Sequence, residues 1–296
     1  MDRLSGARVL ITRATGFFGK YVSAAVEAEG GTALPITKSM GYDLRNSTEA
    51  LQAVMLGKPD IVIHLSSARK HSDRTTASLF RDEIEMGMNV IHAAAIGGAK
   101  LVFVSKAWSE LSRENEAPFA LGSMLRAYAA QYKLPWVWLL VPDLYGPGEL
   151  PKGDTMRPVA TILETFAKSA MEGSGKAVLP GTGKESLGLV FAADAAKAVV
   201  AAAAGRQKAD ILQIPETDTL EAQALAAQMV EATRYPGQIS WDPEQTGFPA
   251  SADMPKDGAK GLGWKAETKL QDGLQATVRW FVQVQEALKP KADVAI

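Results

Sequence analysis

Apolar positions along the first half of the chain alternate between two rhythms. Short continuous apolar runs at 7–12, 60–65, 100–105 and 136–141 read as strands buried on both faces, and 32–37 reads as one more. Helical spacing fills the gaps, over 21–29, 79–95 and 119–132, and over GYDLRNSTEALQAVM, where Asn46 or Ser47 is placed to cap. Gly97 and Gly98 read as the end of the 79–95 helix, a C-cap and not a ligand loop. Strands and helices alternating this regularly predict an α/β protein with a parallel sheet. After Tyr145 the chain turns to GPGELPKGD, a Pro/Gly-rich connection, and the elements beyond it are shorter and less regular. A last helix is predicted to run to about Lys289. The run AADAAKAVVAAAAG carries Asp194 and Lys197, so it reads as a buried alanine-rich helix and not as a membrane span.

Composition narrows the function classes. The chain has 296 residues, 47% hydrophobic, with 32 basic and 33 acidic side chains and a formal net charge of −1. That is enough for a sizeable core, and the neutral balance gives no reason to expect nucleic acid or a membrane as partner. With no cysteine, disulfides, thiolate nucleophiles and cysteine metal sites are excluded. The histidines are His64, His71 and His92, without metal-ligand spacing, so no metal is expected. The amino terminus lacks the apolar core of a signal peptide, and a cytoplasmic location is the expectation.

The chemistry starts at ARVLITRATGFFGKYVSAAVEAEG, a strand, a glycine turn and a helix. Such a turn lets backbone N–H groups approach a pyrophosphate at the positive end of the helix. ITRATGFFG resembles the T-G-A-T-G-F-I-G turn of the extended short-chain dehydrogenase/reductases, the NAD-dependent epimerase/dehydratase superfamily. Within it the chain is most similar to GDP-fucose synthases. YDLRNSTEALQAV, PDIVIHLSSA, NVIHAAAIGGAKLVFVS, DLYGPGE and GLGWKAETKLQDGLQATVRWF resemble further family segments, so the resemblance spans nearly the whole chain. It implies a doubly wound Rossmann-type sheet with a smaller C-terminal lobe. The expected dinucleotide domain is 1–150 plus about 188–217, and the expected substrate lobe is 151–187 and 218–296.

The resemblance also assigns cofactor positions: Thr12, Arg13, Gly16, Phe17, Phe18 and Gly19 at the turn, Asp43 and Leu44 at the adenine, and Leu65, Ser66 and Ser67 past the pyrophosphate. Arg13 stands where the family has its first glycine, and it either fills the pyrophosphate site or bonds the phosphate. At the end of the second strand Lys38 comes before any carboxylate, so NADP(H) is the expected dinucleotide if one binds. His64 belongs to the strand pattern and reads as a packed core residue.

At the catalytic positions the chain departs from the family, where a Tyr-x-x-x-Lys pair exchanges the substrate's proton. In EAPFALGSMLRAY, Phe119 stands in the tyrosine's place and Ser123 in the lysine's. Neither can transfer or tune a proton as the original does. Upstream, FVSKAWSE keeps Ser105 by position and adds Lys106, the two catalytic candidates. His71, Trp108, Phe119, Asp143 and Lys184 are the candidate substrate-pocket residues. Asp143 replaces the asparagine that holds a substrate diphosphate, where a fixed carboxylate repels unless protonated or bridged by a cation. Leu187 falls where an arginine would clamp phosphate. These changes argue against a nucleotide sugar.

Three readings follow. One is a biosynthetic enzyme doing redox-neutral or non-standard chemistry on a small non-nucleotide substrate. Another is an NADP(H)-dependent reductase or epimerase with a displaced proton donor. The third is a non-catalytic binding or scaffold protein. Relatives often pair through the helices at 79–95 and 119–132, so the resemblance allows a homodimer, although the apolar face of the 119–132 helix reads first as core.

Overall fold

The computed structural model describes residues 3–65, 75–106, 116–149, 157–205, 209–251 and 259–288. Five strands follow the predicted runs: β1 (Arg8–Thr12), β2 (Thr32–Ile36), β3 (Ile61–His64), β4 (Lys100–Lys106) and β5 (Trp136–Val141). With β9 (Ala209–Gln213) they form one sheet in the order β2-β1-β3-β4-β5-β9, every pair parallel. Helices α1 (Phe17–Ala28), α2 (Ser47–Gly57), α3 (Thr76–Gly97), α4 (Glu116–Tyr132) and α6 (Ala192–Ala204) cover its two faces. This is a Rossmann-type doubly wound sheet, as expected.

Alternation along each strand divides the core. Val9, Ile11, Ile63, Val102 and Val137 face α1 and α6, while Leu10, Val62, Leu101, Phe103 and Trp138 face α2, α3 and α4. The alanine run forms α6, buried along most of its length, where side chains of one carbon let it lie close to α1 and the sheet. Helix α1 begins at Phe17, four residues before the predicted start, because Gly16 supplies an extended N-cap directly after the turn. Asn46 caps α2 by accepting from Thr48 and Glu49 N–H, and Gly98 ends α3 at φ 69°.

The smaller lobe is built on strands that leave the main sheet. Pro142, with no N–H, follows β5, and the next three residues form β6 (Asp143–Tyr145), a strand the sequence pattern does not announce. β6 runs parallel to β8 (Ser186–Phe191), which pairs antiparallel with β10 (Asp218–Glu221). β7 (Lys176–Pro180) pairs in parallel with β11 (Gln238–Asp242). Helices α5 (Pro158–Glu172), α7 (Ala222–Thr233) and α8 (Leu270–Leu288) close a second core around Ile162, Phe166, Leu179, Leu187, Leu225 and Phe281. One buried carboxylate joins the C-terminal segment to the main domain. Asp194 Oδ2 accepts from Glu267 N–H (3.0 Å) and Thr268 N–H (2.7 Å), and its carbonyl accepts from the Trp264 indole (2.8 Å).

Candidate active site at the sheet's switch point

The chain runs from β1 outward to β2, then crosses back to β3 on the other side of β1. In open α/β sheets a ligand crevice forms at that reversal, beyond the carboxyl ends of the strands. Thr12 and His64, the last residues of β1 and β3, meet there. His64 Nδ1 lies 3.2 Å from Thr12 Oγ1, which also accepts from Leu65 N–H at 2.9 Å. His64 is 1% exposed, packs on the Phe103 ring and is held neutral by burial, with its pKa lowered to about 3. It supports the strand ends as a core residue.

The glycine turn is closed by Gly16 N–H donating to Arg13 O (2.9 Å), and Arg13 N–H donates to Ile36 O (2.9 Å). Arg13 takes φ 54°, the left-handed conformation that a family glycine adopts freely and an arginine holds at about 1 kcal/mol or more. Gly19 carries the helix against the turn: a Cβ there would fall 2.2 Å from Arg13 O. A Cβ on Gly16 would lie 3.2 Å from Arg13 Cγ and 3.3 Å from Arg13 Nε, so the Arg13 stem lies across that glycine. Helix α1 has no side-chain cap and no acidic residue in its first turn. Its first N–H groups have no intrahelical acceptor, as in any helix, and its positive end faces the crevice with Phe17 and Phe18.

Beyond β2, Lys38 pairs with Asp43 at 3.1 Å and keeps 73% of its side chain exposed. Asp43 is held more firmly by Arg45, at 2.5 Å, whose hydrogen bonds lower its pKa well below the usual carboxylate range. Arg45 reaches on to Asp82 (3.2 Å), and Asn89 donates to the carbonyls of Leu44 and Arg45. Asp43, Leu44 and the loop around them are therefore clamped to α3.

The end of β4 carries both catalytic candidates, on opposite faces of the strand, and brings Lys106 to one pocket candidate. Ser105 Oγ accepts from the Trp138 indole N–H at 2.8 Å, and Lys106 Nζ lies 2.8 Å from Asp143 Oδ1. The cation that the Asp143 position calls for is thus supplied by the chain itself. Asp143 is the more enclosed partner, its side chain 13% exposed against 52% for Lys106. In α4 the backbone carries Phe119, whose side chain lies outside the described residues, and Ser123 is exposed, accepting from Arg126 (3.4 Å). The buried face of that helix is Leu121 and Leu125. Ser66, Ser67, His71 and Trp108 also lie outside the described residues.

Two substrate-side positions sit in the lobe. Lys184 is exposed on the turn before β8, where its N–H donates to Thr182 Oγ1 (3.3 Å). Asp143 is paired with Leu189, farther along the same strand, so Lys184 is not brought to the Lys106–Asp143 pair. Leu187 is fully buried in the lobe core.

The sequence reading missed a cluster beside the α1 terminus. Glu149 is 3% exposed; its Oε1 accepts from Arg157 Nη1 at 2.6 Å, and its Oε2 is buried with no hydrogen-bond partner among the described residues. Burial pushes its pKa up to about 7, Asp143 adds to the rise, and Arg157 opposes it. Arg157 lies 5.5 Å from the Phe17 ring centroid, and Tyr21 donates to Pro147 O at 2.7 Å. Burial, and then Glu149, raise the Tyr21 phenol to about 12. Glu149 closes the DLYGPGE motif, but no spacing rule joins it to Arg157, eight residues further on.

Fold and crevice define an α/β protein of the dinucleotide-binding kind: glycine turn, helix terminus and switch point coincide. The Gly19 contact and the Gly16 surface fit a pyrophosphate cradle in which Arg13 is an added wall. Comparison with known proteins agrees. Residues 9–108 and 116–214 match the NAD dependent epimerase/dehydratase family, and the chain belongs to that family. The GDP-L-fucose synthase of Azorhizobium caulinodans is 24% identical over 324 residues, covering 95% of this chain and 98% of that protein. Among solved structures, UDP-glucose 4-epimerase of Thermotoga maritima, determined with UDP-glucose, superposes with a TM-score of 0.81 at 19% identity, covering 94% of this chain and 99% of that one. A GDP-L-fucose synthetase of Naegleria fowleri bound to NADP gives 0.80 at 18%, covering 94% and 93%. Among the described residues, no group of three or more His, Cys, Asp or Glu could hold a metal ion, and no helix is long and apolar enough to cross a membrane.

Proposed function

We propose that this chain is an enzyme that binds a nicotinamide dinucleotide, NADP(H) in preference to NAD(H), and performs redox-neutral or otherwise non-standard chemistry on a small substrate without a nucleotide handle. The observation that carries the reading is the Lys106–Asp143 pair beside Ser105. Ser105 Oγ accepts from Trp138, which leaves its own proton to donate, and Lys106 adds ammonium donors on the next residue. Successive strand residues face opposite ways, so Ser105 offers its donor on the Trp138 side and Lys106 on the Asp143 side. Either donor suits an oxygen that gains negative charge, the task left open by Phe119 and Ser123. Leu187 in the lobe core and Asp143 already paired leave a nucleotide diphosphate without its clamp.

The backbone of Arg13 to Gly19 would hold the dinucleotide's pyrophosphate, Leu44 and Asp43 its adenine side, and Lys38 the extra phosphate of NADP. Asp43 is committed to Arg45, so the exposed Lys38 ammonium is the cation offered there. When bound, such a cofactor supplies a hydride donor or acceptor. A second reading, an NADP(H)-dependent reductase or epimerase with a displaced proton donor, is favoured by the length of the match to GDP-L-fucose synthase. We also propose a homodimer through α3 and α4, where Phe80, Met88, Ile96 and Tyr132 are exposed; sedimentation as a monomer at micromolar concentration would exclude it.

Titration with NADPH and NADH comes first, followed by a panel of small hydroxy and carbonyl compounds and nucleotide sugars, read at 340 nm and by product mass. Turnover without net absorbance change, lost in Lys106→Met and reduced in Asp143→Asn, supports the first reading. Net oxidation of NADPH supports the second. No binding at millimolar dinucleotide rejects hydride chemistry and the cofactor part of the first reading, and leaves a redox-neutral site without a dinucleotide or a binding or scaffold protein.

A further inference from the structure

The Glu149–Arg157 pair stands at the edge of the crevice, and nothing in the proposed chemistry uses it. Its geometry is unusual for a structural ion pair. One carboxylate oxygen is satisfied by Arg157, whereas the other is buried and has no partner among the described residues, so the carboxyl is left half-satisfied in a nearly closed site. The Arg157 side chain is 38% exposed, and its guanidinium lies over Phe17, the first residue of α1. Gly148 and Pro147 fix the carboxyl's loop to the same helix: a Cβ on Gly148 would lie 3.7 Å from Phe17 Cδ2, and Tyr21 holds Pro147 O. A flat, fork-shaped cation is thus parked on the residue whose N–H opens the helix terminus, with a poorly solvated carboxylate as its holder.

We infer that Arg157 is a further phosphate-binding residue of the dinucleotide site, released by Glu149 when the pyrophosphate arrives, so that binding takes up a proton. The inference rests on the dinucleotide reading above. Arginine pairs with phosphate through two parallel hydrogen bonds, and the helix terminus draws the anion to within its reach. Once Arg157 turns to the phosphate, Glu149 loses the group that kept it charged. Among the described residues, the remaining charged and titratable groups facing it do not replace that help. Asp143 on β6 raises its pKa, Tyr21 on α1 stays neutral, and Lys106 on β4 is engaged by Asp143. The carboxyl therefore takes a proton from water, and its unpartnered oxygen loses its charge.

The sign follows from linkage. Glu149 in the free protein titrates near pH 7, and in the complex it stays protonated to a higher pH. Binding takes up a proton above that value, and affinity falls as the pH rises; the expected loss is about ten-fold between pH 6 and pH 8. NADH is the probe, because none of its phosphates titrates over that range. Calorimetry at pH 8 in buffers of different ionisation enthalpy is expected to show close to one proton taken up. Glu149→Gln is expected to abolish the uptake, flatten the pH profile and bind NADH more tightly than wild type at pH 8. Arg157→Met is expected to weaken binding at least ten-fold at pH 6, with Arg157→Lys recovering part of it. NADH bound with no proton uptake, a flat pH profile and unchanged affinity in Arg157→Met would overturn the inference while leaving the dinucleotide reading intact. No binding of NADH or NADPH by wild type would overturn both. The wild-type calorimetry decides the matter even if a variant fails to fold.

Discussion

Gly19→Ala tests whether the turn is as tight as the geometry requires. On an exposed helical position this exchange stabilises by about 1 kcal/mol, because alanine loses less backbone freedom on folding. At Gly19 the added Cβ would stand 2.2 Å from Arg13 O, 2.7 Å from Ala14 Cα and 2.7 Å from Ala14 O. All three are backbone atoms of the turn, and none can rotate away. Helix α1 would have to withdraw by about 1 Å from β1, loosening Val22 and Val26 in a core packed without slack. Overpacking of that kind costs about 1–3 kcal/mol, which cancels the propensity gain and leaves a net loss of up to about 2 kcal/mol, a fall in melting temperature of up to about 3 °C. Urea unfolding of wild type, Gly19→Ala and a control, Gly98→Ala, measures it. Gly98 sits at φ 69° with open space around its Cβ, so its variant is expected to lose only the left-handed backbone preference, about 1 kcal/mol. NADPH titration is the second readout, with binding expected to weaken at least ten-fold for Gly19→Ala alone. A Gly19→Ala protein as stable as wild type that binds NADPH equally well would refute the close approach of helix and turn.

Three further outcomes follow from buried polar groups. Lys100 Nζ donates to the carbonyls of Ala202, Ala203 and Gly205 at 2.7, 3.0 and 2.6 Å, satisfying the carboxyl end of α6. Lys100→Met is expected to cost about 1–3 kcal/mol in urea, and an unchanged midpoint would mean that water serves those carbonyls as well. Asp194→Ala strips the acceptor from the Glu267 and Thr268 N–H groups, with an expected loss of about 2–4 kcal/mol. Hydrogen exchange should quicken over α8 and leave β1 and β4 protected; a uniform change would contradict the anchor. His64 is held neutral, its folded pKa of about 3 lying below the ordinary 6.5 of the unfolded chain. The stability it contributes is complete above pH 6.5 and is lost as the pH falls from 6.5 towards 3, up to about 5 kcal/mol in all. Thermal unfolding from pH 7 to pH 4 should therefore be shallower in His64→Gln than in wild type, and parallel curves would sink the assignment.

What the sequence disclosed depends on where the information lies. Strands buried on both faces announce themselves, and β5 occupies the predicted residues because six consecutive apolar side chains have no polar neighbour to blur its ends. Lobe strands such as β10 and β11 are half exposed and short, so their pattern is weak until β8 and β7 pair with them. The same division runs through the site. Thr12, Gly16 and Gly19 were legible because a tight turn restricts residue type at each place. Trp138 fixing Ser105, and Arg157 holding Glu149, join residues far apart in the chain. Their side chains would suit many other settings, and only the crossover of β4 and β5 and the return of α5 bring them together.

Lys106 and Asp143 carry this point furthest, because each departure from the family pattern explains the other. Lys106 ends β4 in register with Val141 of β5, and Asp143 follows two residues beyond Val141 at the start of β6, so the two side chains meet where the chain leaves the main sheet. An aspartate alone at 143 would be an unpaired carboxylate with 13% of its side chain exposed, whereas a lone lysine at 106 would remain half in water. The cost of breaking the pair is therefore lopsided. Lys106→Met leaves the enclosed charge behind and is expected to destabilise by about 1–2 kcal/mol. Asp143→Asn leaves the exposed charge and should cost less than about 0.5 kcal/mol. The double variant is expected to be more stable than Lys106→Met alone, with a coupling of about 1 kcal/mol. Urea midpoints of the four proteins measure it. Additive effects, or the reverse order of the two single variants, would show that the residues were replaced independently, and Asp143 would then need another source for the cation that its place demands.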